Sequence, residues 1–295
     1  MENILKDKIK LGISACQYGA KFRYNGKGRD ITELLGRDKG SFFWTPVCPE
    51  VMSGLGIPRT AIKLSKGNGN DFWEGNSFIK DRYGKNLSEK LKIGAEYSMN
   101  ILKMADIDIY IYMDGSPSCG ITRTSLKNKK IGNPPGIFGS LLLRENFFLI
   151  SALDLENPLK WWDCKRRLVT YHWLKKIDLE NIENRKNVWD LIKYLVEELS
   201  LEKFNEINLE LENENYNFVE EIQNILKKSS TVEKIKEYLW KNYLLLEKMY
   251  DVKFNINSPE VLRSSTEVYQ EILEIQKYVR QEDKFFASSP INYKP

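Results

Sequence analysis

The first half of the chain alternates between short apolar runs and turn residues, a pattern that indicates buried strands. Three runs are rich in β-branched or aromatic residues and are each followed by a turn signal: Ile9–Ser14, Phe42–Val47 and Ile107–Met113. Between the last two, Leu87–Met104 has apolar residues every three or four positions, as on one helix face. A further helix and a last strand are expected after Pro135. Strands alternating with helices predict an α/β fold, so we expect a Rossmann-like parallel-sheet domain over residues 1–155.

The second half differs, with long charged segments at helical spacing after Asn157-Pro158. We predict an all-helical domain over residues 156–295, with helices at Val188–Leu201, Phe218–Lys228, Val232–Tyr250 and, with a break, Pro259–Phe286. Two start signals support this prediction. Ser230-Thr231-Val232-Glu233 has the pattern of a capping box, and Ser258-Pro259 puts a cap residue before a proline at the first helical position.

Composition excludes several classes of protein. The 295 residues are 42% hydrophobic and 29% charged, and no apolar run approaches the roughly 20 residues of a membrane span. The start, MENILKDKIK, leads to no signal-peptide cleavage site, so we expect a cytoplasmic protein with no membrane partner. Because His172 is the one histidine, catalysis must rest on Cys, Ser, Asp, Glu, Lys or a cofactor.

Charge is distributed unevenly between the halves. Residues 1–150 carry 23 basic and 15 acidic side chains, a net of +8, whereas residues 151–295 carry 22 and 26, a net of −4. The excess suggests that the first half meets something anionic, such as nucleic acid or a nucleotide. A solvated charge pattern without any partner is the alternative.

Three of the four cysteines directly follow predicted strands: Cys16, Cys48 and Cys119. Because the carboxyl ends of parallel strands lie at one edge of a sheet, these thiols are expected to converge. A single cysteine there is more often an inert buried residue, but three in equivalent positions favour a thiolate cluster. No C-x-x-C pair suited to structural zinc occurs, which favours a 4Fe-4S cluster with one iron left for a substrate atom. Cys164 could add a fourth thiolate or be a packed or surface residue.

Three segments around these cysteines together resemble one family. They are GISACQYGAKFRYNG (12–26), PVCPEVMSGLGIPR (46–59) and SPSCG (116–120). Over about residues 8–153 the chain is similar to the thiouracil desulfidase family. The resemblance implies a 4Fe-4S cluster held by Cys16, Cys48 and Cys119, whose free iron takes up the sulfur of a thiolated uracil in a non-redox desulfuration. It also implies that Glu50 is the catalytic acidic residue and that Ser116 or Ser118 is the catalytic serine.

The chain departs from this family pattern beside the third cysteine. Met113-Asp114-Gly115 stands before SPSCG, where we expect a basic or neutral residue, and the segment ITRTSLKNKKIG after it is unusually basic. These differences bear on the identity of the substrate more than on cluster binding.

The residues themselves suit the same chemistry. Replacing C=S by C=O requires a water, a base that deprotonates it and a thiophilic acceptor for the sulfide. Glu50 could be this base, or it could cap the helix beginning after Pro49. The two serines could hold substrate or water, or they could form an ordinary Ser-Pro-Ser turn. Arg23 and Arg59 could bind a phosphate or an oxygen, or they could be surface residues.

One stretch of the helical domain has the composition of an RNA-binding surface. Lys160–Lys176 holds six basic residues against one Asp, interleaved with Trp161, Trp162, Tyr171 and Trp173. Cations that meet phosphates beside aromatics that stack on bases are typical of such surfaces. Lys165, Arg166 and Arg167 are the predicted contacts. The alternative is a linker helix that packs its tryptophans against the first domain.

These observations lead to one main prediction of function. We expect an iron-sulfur desulfidase that hydrolytically converts C=S to C=O in thiouracil, in a thiolated nucleotide or in thiolated tRNA. The alternative is an RNA-binding or regulatory protein whose cysteines hold a structural metal or sense redox state. A cysteine hydrolase is disfavoured because no histidine lies near any of the three cysteines.

Overall fold

The computed structural model describes residues 2–124, 134–213, 216–282 and 284–295. Its contacts divide the chain into an α/β unit, Lys8–Glu156, and a helical unit. The helical unit consists of Asn157–Pro295 and the N-terminal segment through Asp7, which carries the two-residue strand β1 (Ile4–Leu5). The prediction of an α/β fold with a parallel sheet followed by a helical part is confirmed.

A four-stranded parallel sheet forms the centre of the α/β unit. In chain order, the elements of this unit are β2 (Ile9–Ser14), β3 (Phe42–Val47), α1 (Pro49–Met52), β4 (Ile62–Ser65), α2 (Gly69–Trp73), β5 (Phe78–Asp81), α3 (Ser88–Met104), β6 (Ile109–Tyr112), α4 (Ile137–Arg144) and β7 (Phe148–Ser151). The sheet order is β3-β2-β6-β7, and every pair is parallel. The direction of winding reverses between β2 and β6, and the carboxyl ends at such a reversal are where α/β sheets bind ligands.

The apolar pattern located these elements well. β2 and β3 have the predicted bounds, and α3 starts one residue later than predicted. The third strand is shorter than predicted because Ile107 still belongs to the end of α3, where its N–H donates to the carbonyl of Leu102 and Asp106 adopts a left-handed conformation. The helix and strand expected after Pro135 are α4 and β7.

The sequence reading missed an antiparallel ribbon formed by β4 and β5. Its register pairs Ile62 with Asp81, Lys63 with Lys80, Leu64 with Ile79 and Ser65 with Phe78. Leu64 and Ile79 face inward and are buried, whereas Lys63 and Lys80 lie on the outward face. The alternation Ile-Lys-Leu-Ser is the signal that would have revealed β4.

Close packing between α1 and α3 positions the segment that follows the second cysteine. At Gly94, a Cβ atom would stand 2.2 Å from the carbonyl oxygen of Pro49, so only glycine permits this approach. The core beneath includes fully buried residues of α3, β6 and α4: Leu91, Leu102, Tyr110, Ile137 and Phe138. α1, which carries Glu50, is therefore held against a rigid support.

The helical unit has six helices among its described residues. They are α5 (Pro158–Leu174), α6 (Ile182–Leu199), α7 (Leu201–Glu210), α8 (Phe218–Leu226), α9 (Val232–Tyr250) and α10 (Ser265–Gln281). Apolar side chains of α5, α9 and α10 form a common core, with Trp162, Leu239 and Ile272 among its members. The strand β8 (Asn292–Tyr293) pairs in parallel with β1. No helix in the described ranges is both long and apolar enough to span a bilayer.

One predicted helix start was wrong, whereas α9 has the predicted bounds, Val232–Tyr250, with a different cap residue. α10 begins at Ser265 and not at Pro259, with Ser264 and Glu267 forming its capping box. Arg263 donates hydrogen bonds to the carbonyls of Asn257, Ser258 and Val261, which holds the preceding segment in a turn. α9 is capped by Thr231, because the hydroxyl of Ser230 donates instead to Glu198. Both segments contain sequence patterns of a helix cap. The hydrogen bonds of Ser230 to Glu198 and of Arg263 to Ser258 determine which residue caps each helix.

Candidate active site

Three thiols share a cavity at the carboxyl edge of the parallel sheet. Cys16 lies in a 3-10 turn directly after β2, Cys48 is the N-cap residue of α1 directly after β3, and Cys119 lies in the loop after β6. All three line one cavity of about 390 Å³, and all are free thiols. Sequentially distant thiols therefore reach one space because each follows a parallel strand.

The pKa values of two of the three thiols, Cys48 and Cys119, are raised above the ordinary value for cysteine. Burial raises the pKa of Cys48 to about 11, and the nearby charge of Glu50 acts in the same direction. Burial also raises the pKa of Cys119 well above its ordinary value, with further increases from Cys48 and Cys16. Three thiolates in this space would repel one another, so they could coexist only around a group that supplies positive charge.

The donor set fits a polynuclear cluster better than a single ion. Within the described part of the chain, no three His, Cys, Asp or Glu side chains lie close enough together to hold one metal ion. Cys16, Cys48 and Cys119 nevertheless surround one roomy cavity and would all be thiolate donors. A cluster is larger than one ion and keeps its thiolate ligands farther apart, and iron-sulfur clusters take thiolates.

Glu50 lies on the cavity wall with both carboxylate oxygens occupied. Ser118 donates to Oε1 at 2.8 Å, and Arg59 donates to Oε2 from Nε at 3.0 Å and again from Nη2. The Glu50 side chain is 13% exposed and that of Arg59 6%. Glu50 also stands in the first turn of α1, as its capping interpretation expects, but its side chain is directed by these long-range partners.

The guanidinium of Arg59 is hydrogen-bonded to several groups of the protein. Besides Glu50, its Nη1 donates to the carbonyl oxygens of Phe22 at 3.0 Å and Gly56 at 3.3 Å. Its backbone N–H also donates to the carbonyl of Tyr24. Arg59 therefore joins three segments of the cavity wall, which favours a positioning role over the substrate-binding role suggested by the sequence.

The two serines of SPSCG differ in their surroundings. The Oγ of Ser116 accepts the N–H groups of Ser118 at 3.2 Å and Cys119 at 3.1 Å, which forms a tight turn and leaves its own hydroxyl hydrogen to be donated. Ser116 lines the cavity. Ser118 is fully buried, outside the cavity lining, and is bonded to Glu50.

Asp114 closes the loop that carries these residues, a role that sequence reading did not assign. Its Oδ1 accepts three backbone N–H groups, those of residues 121, 122 and 123, and its Oδ2 accepts the hydroxyl of Thr122 at 2.6 Å. At Gly120, a Cβ atom would meet the carbonyl of Arg123 at 2.1 Å. Asp114, which departs from the family pattern beside the third cysteine, therefore stabilises the loop that carries Cys119. Most of the basic segment after it lies outside the described residues.

Two cations that line the cavity make no ion pair with described residues. Arg23 is half-buried and Lys63 is exposed, and neither donates a side-chain hydrogen bond in the part of the chain that the structure describes. The other charged side chains of the lining are committed elsewhere, Glu50 to Arg59 and Asp114 to its loop. The cavity lining therefore carries positive charge, on Arg23 and Lys63, that no described carboxylate neutralises. Lys63 was missed because its strand was missed.

The structure overturns the RNA-binding interpretation of Arg166 and Arg167. Both are buried in the helical unit, where Arg166 binds Asp163 and Glu198 and Arg167 binds Asp163 at 2.9 Å. Burial alone would lower the pKa of Arg166, but the charges of Glu198 and Asp163 outweigh it and raise that pKa. Neither guanidinium is available to a phosphate, because burying a cation requires such partners.

The rest of that stretch is also packed. Trp161, Trp162, Tyr171 and Trp173 are all buried and offer no stacking surface. Lys165 is half-buried, with its Nζ 6.0 Å from the centre of the Tyr293 ring. Cys164 is buried in α5, where its Sγ accepts from Nη2 of Arg167 at 3.5 Å. These aromatic side chains are therefore buried, and Trp162 belongs to the core of the helical unit itself.

Comparison with known proteins agrees with the class of protein that this site indicates. The profile of the 2-thiouracil desulfurase family matches residues 11–154, all within the α/β unit, which confirms the resemblance for the N-terminal half of the chain. Among solved structures, the 4Fe-4S-dependent thiouracil desulfidase TudS is 26% identical, and the match covers 50% of this chain and 91% of that one with a TM-score of 0.39. No curated protein matches.

Proposed function

We propose that this protein is a non-redox desulfidase that hydrolyses the C=S bond of a thiouracil-type nucleobase. The observation that carries the proposal is the set of three thiols and Glu50 around one cavity, within the region that matches the 2-thiouracil desulfurase family. The overall reaction is balanced without an oxidant or reductant. The thiocarbonyl and one water give the carbonyl and hydrogen sulfide, so all atoms and electrons are accounted for.

We assign the cofactor from the chemistry of the thiols. Cys16, Cys48 and Cys119 would hold a 4Fe-4S cluster, and a cluster with three protein ligands supplies an iron site that can bind sulfur. Cys164 belongs to the helical unit and has no part in this ligand set.

The protein's own residues would handle the water and the substrate. Glu50 would accept a proton from the attacking water, and Arg59 and Ser118 would hold its carboxylate in one orientation. Ser116 would donate its free hydroxyl hydrogen to the nucleobase. Arg23 would attract a substrate that bears negative charge. The substrate could be the free base, a nucleotide or thiolated RNA, and each suits a cavity of this size and charge.

Cysteine variants test the cofactor assignment. After anaerobic reconstitution, Cys16→Ala, Cys48→Ala and Cys119→Ala should each lose the visible absorbance of the cluster and most of their iron. Cys164→Ala is the matched control, because it removes a buried thiol from the other unit and should keep its iron. A full iron complement in any of the first three variants would overturn the assignment.

Sulfide release tests the reaction. Reconstituted protein should release sulfide from thiouracil, its nucleotides or thiolated tRNA, assayed in parallel under anaerobic conditions. The carbonyl product should take its oxygen from water, which labelled water would show by mass spectrometry. Protein with a full cluster that releases no sulfide from any of these substrates would contradict the proposed function.

A further inference from the structure

We infer that the ribbon of β4 and β5, which we call the basic ribbon (residues 62–85), binds the phosphate backbone of single-stranded RNA beside the cavity. Residues 62–85 carry five cations: Lys63, Lys66, Lys80, Arg82 and Lys85. None of the five forms an ion pair with any residue in the described ranges, and four are exposed while Lys80 is half-buried. This contrasts with Lys160–Lys176, whose arginines are neutralised in a core.

The acidic residues of the same segment do not neutralise these cations. Asp81 faces inward, is buried, and accepts the N–H groups of Tyr83 and Lys85. Asp71 accepts the N–H of Asn68 in the capping box of α2. Glu74 is exposed and belongs to the connection between the strands. The positive charge of the outward face is therefore uncompensated within the ribbon.

The arrangement of two of the lysines has a cost in the absence of an anion. Lys63 and Lys80 are directly opposite each other in the antiparallel register, and like charges in such a pair destabilise a sheet. Lys66, at the end of β4, adopts a left-handed conformation with φ of 65°, which is unfavourable for a residue with a side chain. A bound anion between these lysines would remove the repulsion.

Aromatic rings lie between the cations. The Nζ atoms of Lys66 and Lys80 stand 5.6 Å and 4.7 Å from the centre of the Phe78 ring. The guanidinium of Arg82 lies 4.7 Å from the ring of Tyr83, which is 74% exposed. The exposed ring of Tyr83 is suited to stacking on a base, and the cations around Phe78 are suited to phosphates of a single strand.

The basic ribbon is continuous with the cavity wall. Ile62, Lys63 and Leu64 line the cavity, so β4 has one side in the candidate active site and continues into the basic face. A nucleobase in the cavity would place the adjoining phosphates near Lys63 and Arg23. This part of the inference rests on the proposed function, and it requires an unpaired base, because paired bases in an RNA helix are not accessible to such a cavity.

RNA fits this surface better than a membrane does. The outward face has no cluster of exposed aliphatic side chains that could enter a lipid layer, since its residues are Lys63, Ser65, Phe78 and Lys80, and lysines cover Phe78. Negative charge spaced along a chain is the feature that five separate cations recognise.

The test measures binding of a fluorescent, unmodified single-stranded RNA of about 20 nucleotides by anisotropy over a range of KCl concentrations. The ribbon variant is the triple substitution Lys63→Gln, Lys66→Gln and Lys80→Gln. We expect its affinity at low salt to fall at least about tenfold and its log-log salt slope to become shallower by about 2, since each lost contact with a single strand contributes roughly 0.7.

Two further variants keep this test decisive. Lys228→Gln, Lys248→Gln and Lys277→Gln remove the same charge from exposed positions of the helical unit and should leave the slope unchanged. Arginine at all three ribbon positions should preserve binding, which separates lost charge from disturbed folding. Equal losses in the two glutamine triples, or no salt-dependent binding by the wild type, would overturn the inference.

Two controls define the ligand and the relation to the chemistry. Vesicles containing phosphatidylserine should bind more weakly than RNA, and ribbon-dependent binding of vesicles as tight as that of RNA would overturn the assignment to RNA. The RNA-binding assay needs no sulfide release. RNA binding without desulfuration would contradict the proposed function alone, and desulfuration of thiouracil without RNA binding would contradict the ribbon assignment alone.

Discussion

Arg59 in the α/β unit and Arg166 in the helical unit both bind carboxylates, but in different surroundings. Arg166 and Glu198 are each 1% exposed, and their cluster also includes Asp163, Ser230 and the carbonyl of Ser288. Arg59 and Glu50 lie on the wall of a cavity that a small molecule can enter. The same pairing of groups therefore lies in a closed core in one unit and orients a carboxylate on a cavity wall, the proposed base, in the other.

The difference shows which properties each pair can influence. A closed cluster has no access to a ligand, so its removal should change stability and leave specific chemistry untouched. A pair on the cavity wall should have the opposite effect if Glu50 acts as the proposed base. The predictions below test this contrast in order of decreasing size.

Arg166→Gln should have the largest effect. It leaves Glu198 and Asp163 short of positive charge in a dry core, and such a loss costs about 3–5 kcal/mol in the free energy of unfolding. Urea unfolding followed by circular dichroism measures it. Lys165→Gln, next to it on α5, should cost less than about 1 kcal/mol. Equal stability of the two variants would remove the distinction between the clusters.

Arg59→Lys should reduce turnover about a hundredfold, equivalent to about 2.7 kcal/mol, because an ammonium group cannot reproduce both bonds to Glu50 and those to the carbonyls. The KM should change little, and the iron content should stay constant. Arg23→Lys is the matched variant and should mainly raise the KM. An increase in KM alone for Arg59→Lys would return Arg59 to a substrate-binding role.

Ser118→Ala should lower turnover about tenfold with full iron content, since it removes one hydrogen bond to the Glu50 carboxylate, worth about 1.5 kcal/mol. Ser116→Ala should lower both iron content and turnover, because Ser116 also holds the N–H of Cys119. Iron analysis beside kinetics distinguishes the two serines. Identical behaviour of the two variants would contradict the separate roles assigned here.

Lys63→Thr should raise the free energy of unfolding by a few tenths of a kcal/mol, the smallest effect. It removes a like-charge pair with Lys80 and introduces a residue with good strand propensity. Thermal unfolding at low salt gives the best sensitivity, and the gain should shrink at high salt. A lower free energy of unfolding for Lys63→Thr would show that favourable contacts of Lys63 outweigh its repulsion by Lys80.

Much of the α/β unit was predictable because its signals are local. The strands β2 and β3 are mostly apolar segments with a turn directly after them, so both their bounds and the positions of Cys16 and Cys48 could be predicted from the sequence. α3 follows from its apolar periodicity. The ribbon was missed because its strands have four residues each, so the alternation that marks β4 covers only the shortest length expected of a strand.

The sequence by itself determined where apolar runs end and which reactive side chains follow them. The reason is that strands buried in a parallel sheet consist mainly of apolar residues, which are visible as a local run. Only the tertiary structure decided which charges are free. Arg166 and Lys63 both stand in basic stretches of the sequence, yet one is enclosed by the carboxylates of Asp163 and Glu198 and the other faces solvent. Glu198 lies on a different helix from Arg166. The partner of a charged residue therefore comes from a distant position, and no local sequence pattern predicts it.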